Sequence, residues 1–277
     1  MSKTGNRTGS QSGNTSGRKS TRPRSTRPTS TRSTQPASAS KAKRARPAAV
    51  ETVGLTKRYF ETPALAPIDL RVEPGERLTM IGHNGSGKTT LIRMLTGLLE
   101  PSDGEGRVAG HDIGSIEARA AVSYIADQPV FYDDLSVWEH LEYVARLHDT
   151  ADWEQRAVDL LEAIGLTPRA DDLPGTFSRG LKQKAAIALA FVRPFEVMFV
   201  DEPFVGLDRV GRENLLELLA EAHRGGATLL VATHELSSIR ESDRLVALAD
   251  GAVVYDGNPG DADIDALTEG IRRERTD

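Results

Sequence analysis

The sequence predicts an α/β fold with a mostly parallel sheet, on two observations. Short apolar runs alternate with helical stretches between about residues 78 and 234, the pattern of parallel strands joined by helices. Four of these runs end in polar residues, and in open α/β sheets the ligand site lies beyond the carboxyl ends of the strands.

The first run is Leu78-Thr79-Met80-Ile81. It leads into Gly82-His83-Asn84-Gly85-Ser86-Gly87-Lys88-Thr89, and a helix-like run, Thr90-Leu91-Ile92-Arg93-Met94-Leu95, follows. The octapeptide fits G-x-x-x-x-G-K-[ST]. Its glycines let the backbone turn N–H groups toward a polyphosphate, Lys88 adds a point charge, and the Thr89 hydroxyl can ligate Mg²⁺. The helix that starts here aims its positive end at the same anion.

The other strands follow in order. Val122-Ser123-Tyr124-Ile125-Ala126 ends just before Gln128. Val197-Met198-Phe199-Val200 is apolar throughout, as a strand covered on both faces must be, and it ends in Asp201-Glu202. Leu229-Leu230-Val231-Ala232 ends in Thr233-His234. A carboxylate at Asp201 can hold Mg²⁺ through water. Glu202 can orient and deprotonate a water for attack on a γ-phosphate.

Between the second and third strands, residues 129–193 read as mostly helical. Ser136-Val137-Trp138-Glu139 is a capping box that opens a helix toward Leu147. Asp152 to Ile164 forms a second helix, with Gly165 placed to cap it. A third runs from about Lys182 to Arg193 and stops at Pro194. Trp138 and Trp153 are packing residues in this reading.

Composition divides the 277 residues unequally. Residues 1–49 contain no Leu, Ile, Val, Phe, Tyr, Trp, Asp or Glu, but 12 Lys plus Arg. Such a segment cannot bury enough apolar surface to offset its ordering entropy, so a disordered tail is expected. It carries a repeat, Ser20-Thr21-Arg22, Ser25-Thr26-Arg27, Ser30-Thr31-Arg32. One reading is a solvated linker. The other is electrostatic attraction to anionic lipid or, ranked below it, to nucleic acid. Residues 50–277 hold the remaining 23 basic and all 40 acidic residues, a balance of −17, which argues against a nucleic-acid surface.

The absence of cysteine excludes disulfides and thiolate metal sites. The longest wholly apolar run, Ala185 to Val192, is far short of the roughly 20 residues of a spanning helix. The amino terminus shows no apolar core of a secretory signal.

Together these motifs resemble the nucleotide-binding subunit of ATP-binding-cassette (ABC) transporters, over about residues 50–260. Gln128 matches the family's Q-loop glutamine. Phe177-Ser178-Arg179-Gly180-Leu181 stands at the family signature, with Arg179 and Leu181 replacing its usual Gly and Gln. Gly206-Leu207-Asp208 matches the D-loop, His234 the switch histidine, and Tyr59 the aromatic residue that stacks on adenine. The basic substitution followed by Lys182-Gln183 resembles single-domain bacterial exporters of the drug-resistance type.

The resemblance implies a P-loop NTPase fold with a mostly parallel core sheet, an antiparallel β part and a helical subdomain at about 129–193. A short C-terminal tail, 261–277, would follow. It implies ATP and Mg²⁺ as ligands and a head-to-tail pair with a second cassette, identical or not. Tyr59, Gly82 to Thr90 and Gln128 would bind nucleotide on one side. Ser178, Gly180 and Asp208 would act from the partner. Thr89, Gln128 and Asp201 would face the metal. Lys88, Glu202 and His234 would carry the catalysis. A separate integral-membrane subunit would dock near Phe131-Tyr132, unless that loop merely packs inward, and the chain would sit on the cytoplasmic face of the membrane.

Two rival classes are compatible with parts of the sequence. A soluble cassette acting on nucleic acid or ribosomes usually resembles fused cassettes or one split by a coiled coil. This chain has one copy of each motif and no long heptad stretch. A nucleotide-dependent regulator without turnover is opposed by Glu202 and His234 but permitted by the altered signature.

Overall fold

A computed structural model describes residues 47–234, 236–264 and 266–267. The basic tail, residues 1–46, and residues 268–277 lie outside the described residues, as do the tail's Ser-Thr-Arg repeats.

The chain opens with β1 (Val50–Tyr59), β2 (Thr62–Val72), β3 (Arg77–Ile81) and α1 (Lys88–Leu95). β4 (Asp103–Val108), β5 (His111–Asp112), α2 (Ile116–Ala121) and β6 (Val122–Ile125) follow. Three helices come next, α3 (Val137–Leu147), α4 (Trp153–Ala163) and α5 (Arg179–Phe191). β7 (Val197–Asp201), α6 (Arg209–Arg224), β8 (Thr228–Ala232), α7 (Leu236–Arg240), β9 (Arg244–Ala249) and β10 (Ala252–Gly257) complete the order.

The strands form two sheets. One is antiparallel, in the order β2-β1-β4-β5. The other runs β10-β9-β3-β8-β7-β6 and is parallel except for the β9–β10 hairpin. All five residues of β3, β7 and β8 are buried. That is why these strands read as unbroken apolar runs. Side chains alternate between two cores. Val197 and Phe199 pack with α1 and the antiparallel sheet, whereas Met198 and Val200 pack with α3, α4 and α5.

The helical segment forms as its caps dictate. Ser136 Oγ accepts the Glu139 N–H at 3.2 Å and Glu139 Oε2 accepts the Ser136 N–H at 2.8 Å. The Ser136 N–H, and then its hydroxyl, hold the Glu139 carboxyl below its usual range. Trp138 and Trp153 pack ring against ring, with centroids 5.4 Å apart. α5 begins three residues earlier than the expected start at Lys182. Ser178 takes the extended N-cap conformation and its Oγ faces the Leu181 N–H at 3.4 Å, which places Arg179 and Gly180 in the first turn.

Order also extends beyond both expected boundaries. Ala48 and Ala49 are buried. The Ala49 N–H donates to Val72 O at 2.9 Å, and Ala49 O accepts the Ala109 N–H at 2.8 Å. At the other end, Ala262, Ile264 and Leu267 pack against Ile81, Ile239 and Leu245.

Candidate functional site

Lys88, Asp201, Glu202 and His234 converge at the carboxyl ends of β3, β7 and β8. The turn after β3 brings the Lys88 side chain back over its own loop. Lys88 Nζ donates to Gly82 O at 2.6 Å and to His83 O at 3.3 Å. Gly82 is required here, because a Cβ would stand 2.3 Å from Leu248 O. Ser86 is fully buried, and its hydroxyl has no hydrogen-bond partner among the described residues. Asn84 and Gly85 are exposed, while His83, Thr89 and Thr90 are half-buried.

Burial lowers the Lys88 ammonium below the ordinary lysine range, against the opposing attraction of Glu202 and Asp201. Glu202 Oε1 stands 4.0 Å from Lys88 Nζ. On its other side, His234 Nε2 lies 3.0 Å from the same oxygen. Glu202 also has left-handed backbone, φ 45°, a conformation that costs a non-glycine residue roughly 1–2 kcal/mol.

Asp201 closes β7 and is 1% exposed. Neither of its oxygens receives a well-aligned hydrogen bond, although the Thr89 hydroxyl is close enough to favour its charge. Burial dominates and raises the carboxyl above the ordinary range. A buried carboxylate short of donors, beside a threonine hydroxyl and an anion-binding loop, fits a divalent cation. Among the described residues there is no cluster of three or more His, Cys, Asp or Glu that could hold a metal. A Mg²⁺ here would take its other ligands from phosphate and water, as such sites do.

The remaining predicted residues are more scattered. Tyr59 ends β1, half-exposed, with Lys57 Nζ 5.4 Å from its ring centroid. Gln128 is exposed, one residue beyond Asp127. Asp127 is the residue whose charge reaches Asp201 and Tyr124, and it accepts a hydrogen bond from Arg179 at 2.8 Å. The rule that singles out polar residues at strand ends applies equally to Asp127. The Tyr124 phenol, pushed up to about 12 by burial and then by Asp201, bonds Arg93.

Ser178 caps α5 and Gly180 lies in its first turn. A Cβ on Gly180 would stand 2.4 Å from Gly206 O, so this contact admits glycine alone. Asp208 serves its own chain: Oδ1 accepts the Gly211 N–H at 2.7 Å, capping α6, and Lys184 Nζ lies 3.6 Å away. Both hold the carboxyl low.

Beyond Gln128 the loop divides its aromatics. Phe131 packs inward, edge-on to His140 at 5.5 Å. Tyr132 is exposed and meets the exposed Tyr143 at 5.5 Å. The buried His140 holds the loop: its Nδ1 lies 2.7 Å from Ser136 O and its Nε2 accepts the Tyr132 N–H at 2.9 Å. A cleft of about 960 Å³ opens at the opposite end of the sheet, beside Val197 and Thr228.

Comparison with known proteins agrees with this geometry. Residues 65–205 match the family model described as ABC transporter. The SkfA peptide export ATP-binding protein SkfE of Bacillus subtilis is 33% identical over 210 residues, 75% of this chain and 88% of its own. A solved structure of an ATP binding subunit of an ABC transporter superposes with a TM-score of 0.74 at 32% identity, covering 80% of this chain and 99% of that one. The dimeric ATP-binding cassette MJ0796, in a post-hydrolysis state bound to ADP and Pi, superposes with a TM-score of 0.70 at 25% identity, covering 76% and 98%. With these motifs in one order on this fold, the chain belongs to the ABC transporter family as an ATP-binding subunit.

Proposed function

We propose that this chain hydrolyses Mg-ATP at a site shared between two cassettes and so drives an exporter whose membrane-spanning part is a separate protein. The observation that carries the reading is the row Lys88, Glu202, His234, with Glu202 Oε1 at 4.0 and 3.0 Å from the two nitrogens, beside the donor-poor Asp201.

Lys88 and the turn Gly82 to Thr90 bind the polyphosphate, and Tyr59 stacks on the base. Asp201 and Thr89, with Gln128, would hold Mg²⁺, which would offset phosphate charge when bound. Glu202 takes the proton of the attacking water, and His234 steadies the Glu202 carboxylate. Ser178, Gly180 and Asp208 meet the nucleotide of the opposite cassette. The dimeric cassette found among the solved relatives supports this pairing.

No described helix is long and apolar enough to cross a membrane, so the membrane-spanning part is assigned to a partner. The exposed Tyr132 and Tyr143, with Val130 and Leu147 nearby in sequence, offer it an apolar docking face. The export assignment draws on the peptide-export relative. The same reading places the chain on the cytoplasmic face of the membrane and the cassette at about residues 50–260. It leaves the basic tail, residues 1–46, to anionic lipid.

The test is phosphate release by the purified chain with Mg-ATP, compared with Glu202→Gln. Loss of a general base lowers turnover by about 10²–10⁴-fold. A variant as active as the parent would remove Glu202 from the chemistry.

A further inference from the structure

Arg179 stands in the first turn of α5, where the family's usual signature has glycine. Its Nη2 donates to Asp127 Oδ1 at 2.8 Å, across 52 residues of sequence. Asp127 lies in the turn that leaves β6. The same arginine lies along the turn before α6, where a Cβ on Gly206 would stand 3.4 Å from Arg179 Cγ. Behind it, Gly180 is in backbone contact with Gly206 O, and Lys184 pairs with Asp208. The start of α5 is thus fastened to the α6 turn at several points, and to the β6 loop through Arg179.

We propose that Arg179 is a positioning residue: through Asp127 it fixes the first turn of α5, with Ser178 and Gly180, against the loop that follows β6 in the same protomer. The inference rests on the composite, two-cassette site proposed above. In that arrangement Ser178 faces the partner's nucleotide, while Asp127 stands near its own protomer's Asp201 centre. The ion pair therefore joins the half of the interface that a protomer presents to the half that it keeps. A glycine at this position leaves the turn without the strut.

Both side chains are substantially exposed, 57% for Arg179 and 34% for Asp127. Pairs of this kind contribute little to overall stability, so removing the strut should not unfold the protein. The expected effect is about two- to fivefold on an equilibrium that uses it, shrinking as salt is added.

The experiment compares Asp127→Asn, Arg179→Gln, the double variant and the swapped pair D127R/R179D in the full chain. Each single change should raise the KM for ATP about two- to fivefold, with a smaller change in kcat. In the Glu202→Gln background each should weaken the ATP-dependent dimer by a similar factor. The double variant should be no worse than either single one, as for residues acting through one contact, and the swap should return toward the parent. Additive losses, or a loss on changing Arg179 with none on changing Asp127, would show that the guanidinium acts directly on the partner's nucleotide, and would overturn the positioning role. Unaltered KM and dimerisation in both single variants would overturn it too. If Glu202→Gln alone forms no ATP-dependent dimer, the composite site itself fails, and this inference falls with it.

Discussion

His234 and Glu202 leave different strands, yet Nε2 and Oε1 meet at 3.0 Å. The sheet accounts for it. β7 and β8 are parallel neighbours, with Asp201 opposite Ala232, and the Glu202 N–H donates to Ala232 O at 2.8 Å. The residues that follow each strand are therefore delivered to one spot by backbone pairing, which local loop changes do not disturb.

Replacing Lys88 by Ala should cripple nucleotide binding. A hydrogen bond to a charged group contributes about 1.5–3 kcal/mol, or roughly ten- to a hundredfold in affinity. Titration with a fluorescent ATP analogue measures this, and unchanged affinity would withdraw the phosphate-loop assignment.

The Glu202→Gln protein should bind ATP, turn over slowly and accumulate as a dimer when Mg-ATP is present. Size-exclusion chromatography with and without nucleotide reads this directly. Adding Ser178→Arg should abolish the dimer and spare binding to the monomer. A persistent dimer means that this altered signature does not complete the partner's site.

Asp201→Asn should raise the melting temperature of the nucleotide-free protein while removing Mg²⁺-dependent hydrolysis. Burial raises the folded-state pKa of Asp201 above its unfolded value. Its favourable contribution is then full below the unfolded pKa and is lost as pH rises through the folded one. The advantage of the variant should accordingly grow as pH rises from the unfolded carboxylate range toward neutrality. A gain of about 1 kcal/mol corresponds to ~2–4 °C. Calorimetry across that range decides it; a variant that melts lower than the parent at neutral pH contradicts the account.

A chain beginning at Pro47 should be more stable than one beginning at Val50. The shorter chain loses the two backbone hydrogen bonds of Ala49, each contributing about 0.5–1.5 kcal/mol, and the burial of Ala48 and Ala49. Equal urea midpoints would show that these residues add nothing.

The parallel strands, and the meeting of Lys88, Glu202 and His234 at their ends, were legible in the sequence because their signals are local. Apolar runs mark strands covered on both faces, and a polar residue directly after each run marks the site. The capping box at Ser136 is equally local. Other features depend on partners far along the chain. Gly180 is a poor helix former, so the sequence places the start of α5 after it. The helix begins earlier because Ser178 caps it and because the Gly206 carbonyl leaves room there for glycine only. Asp127 gains its place from Arg179, a contact that no window around Gln128 contains. Ala48 and Ala49 join the fold through backbone bonds, and alanine carries no periodic signal.

The left-handed backbone at Glu202 narrows what can ever occupy that position. Valine, isoleucine and threonine are barred by sterics before chemistry is considered. Glycine, asparagine and aspartate suit the backbone best, yet glycine brings no carboxylate, asparagine no base, and aspartate a reach one methylene shorter. With Glu202 as the base proposed above, mutational drift toward an easier conformation would pass through weakened turnover first. A lineage that ceased to need hydrolysis would be expected to relax at this residue early, which makes position 202 a sensitive record of whether a descendant cassette still works as an engine.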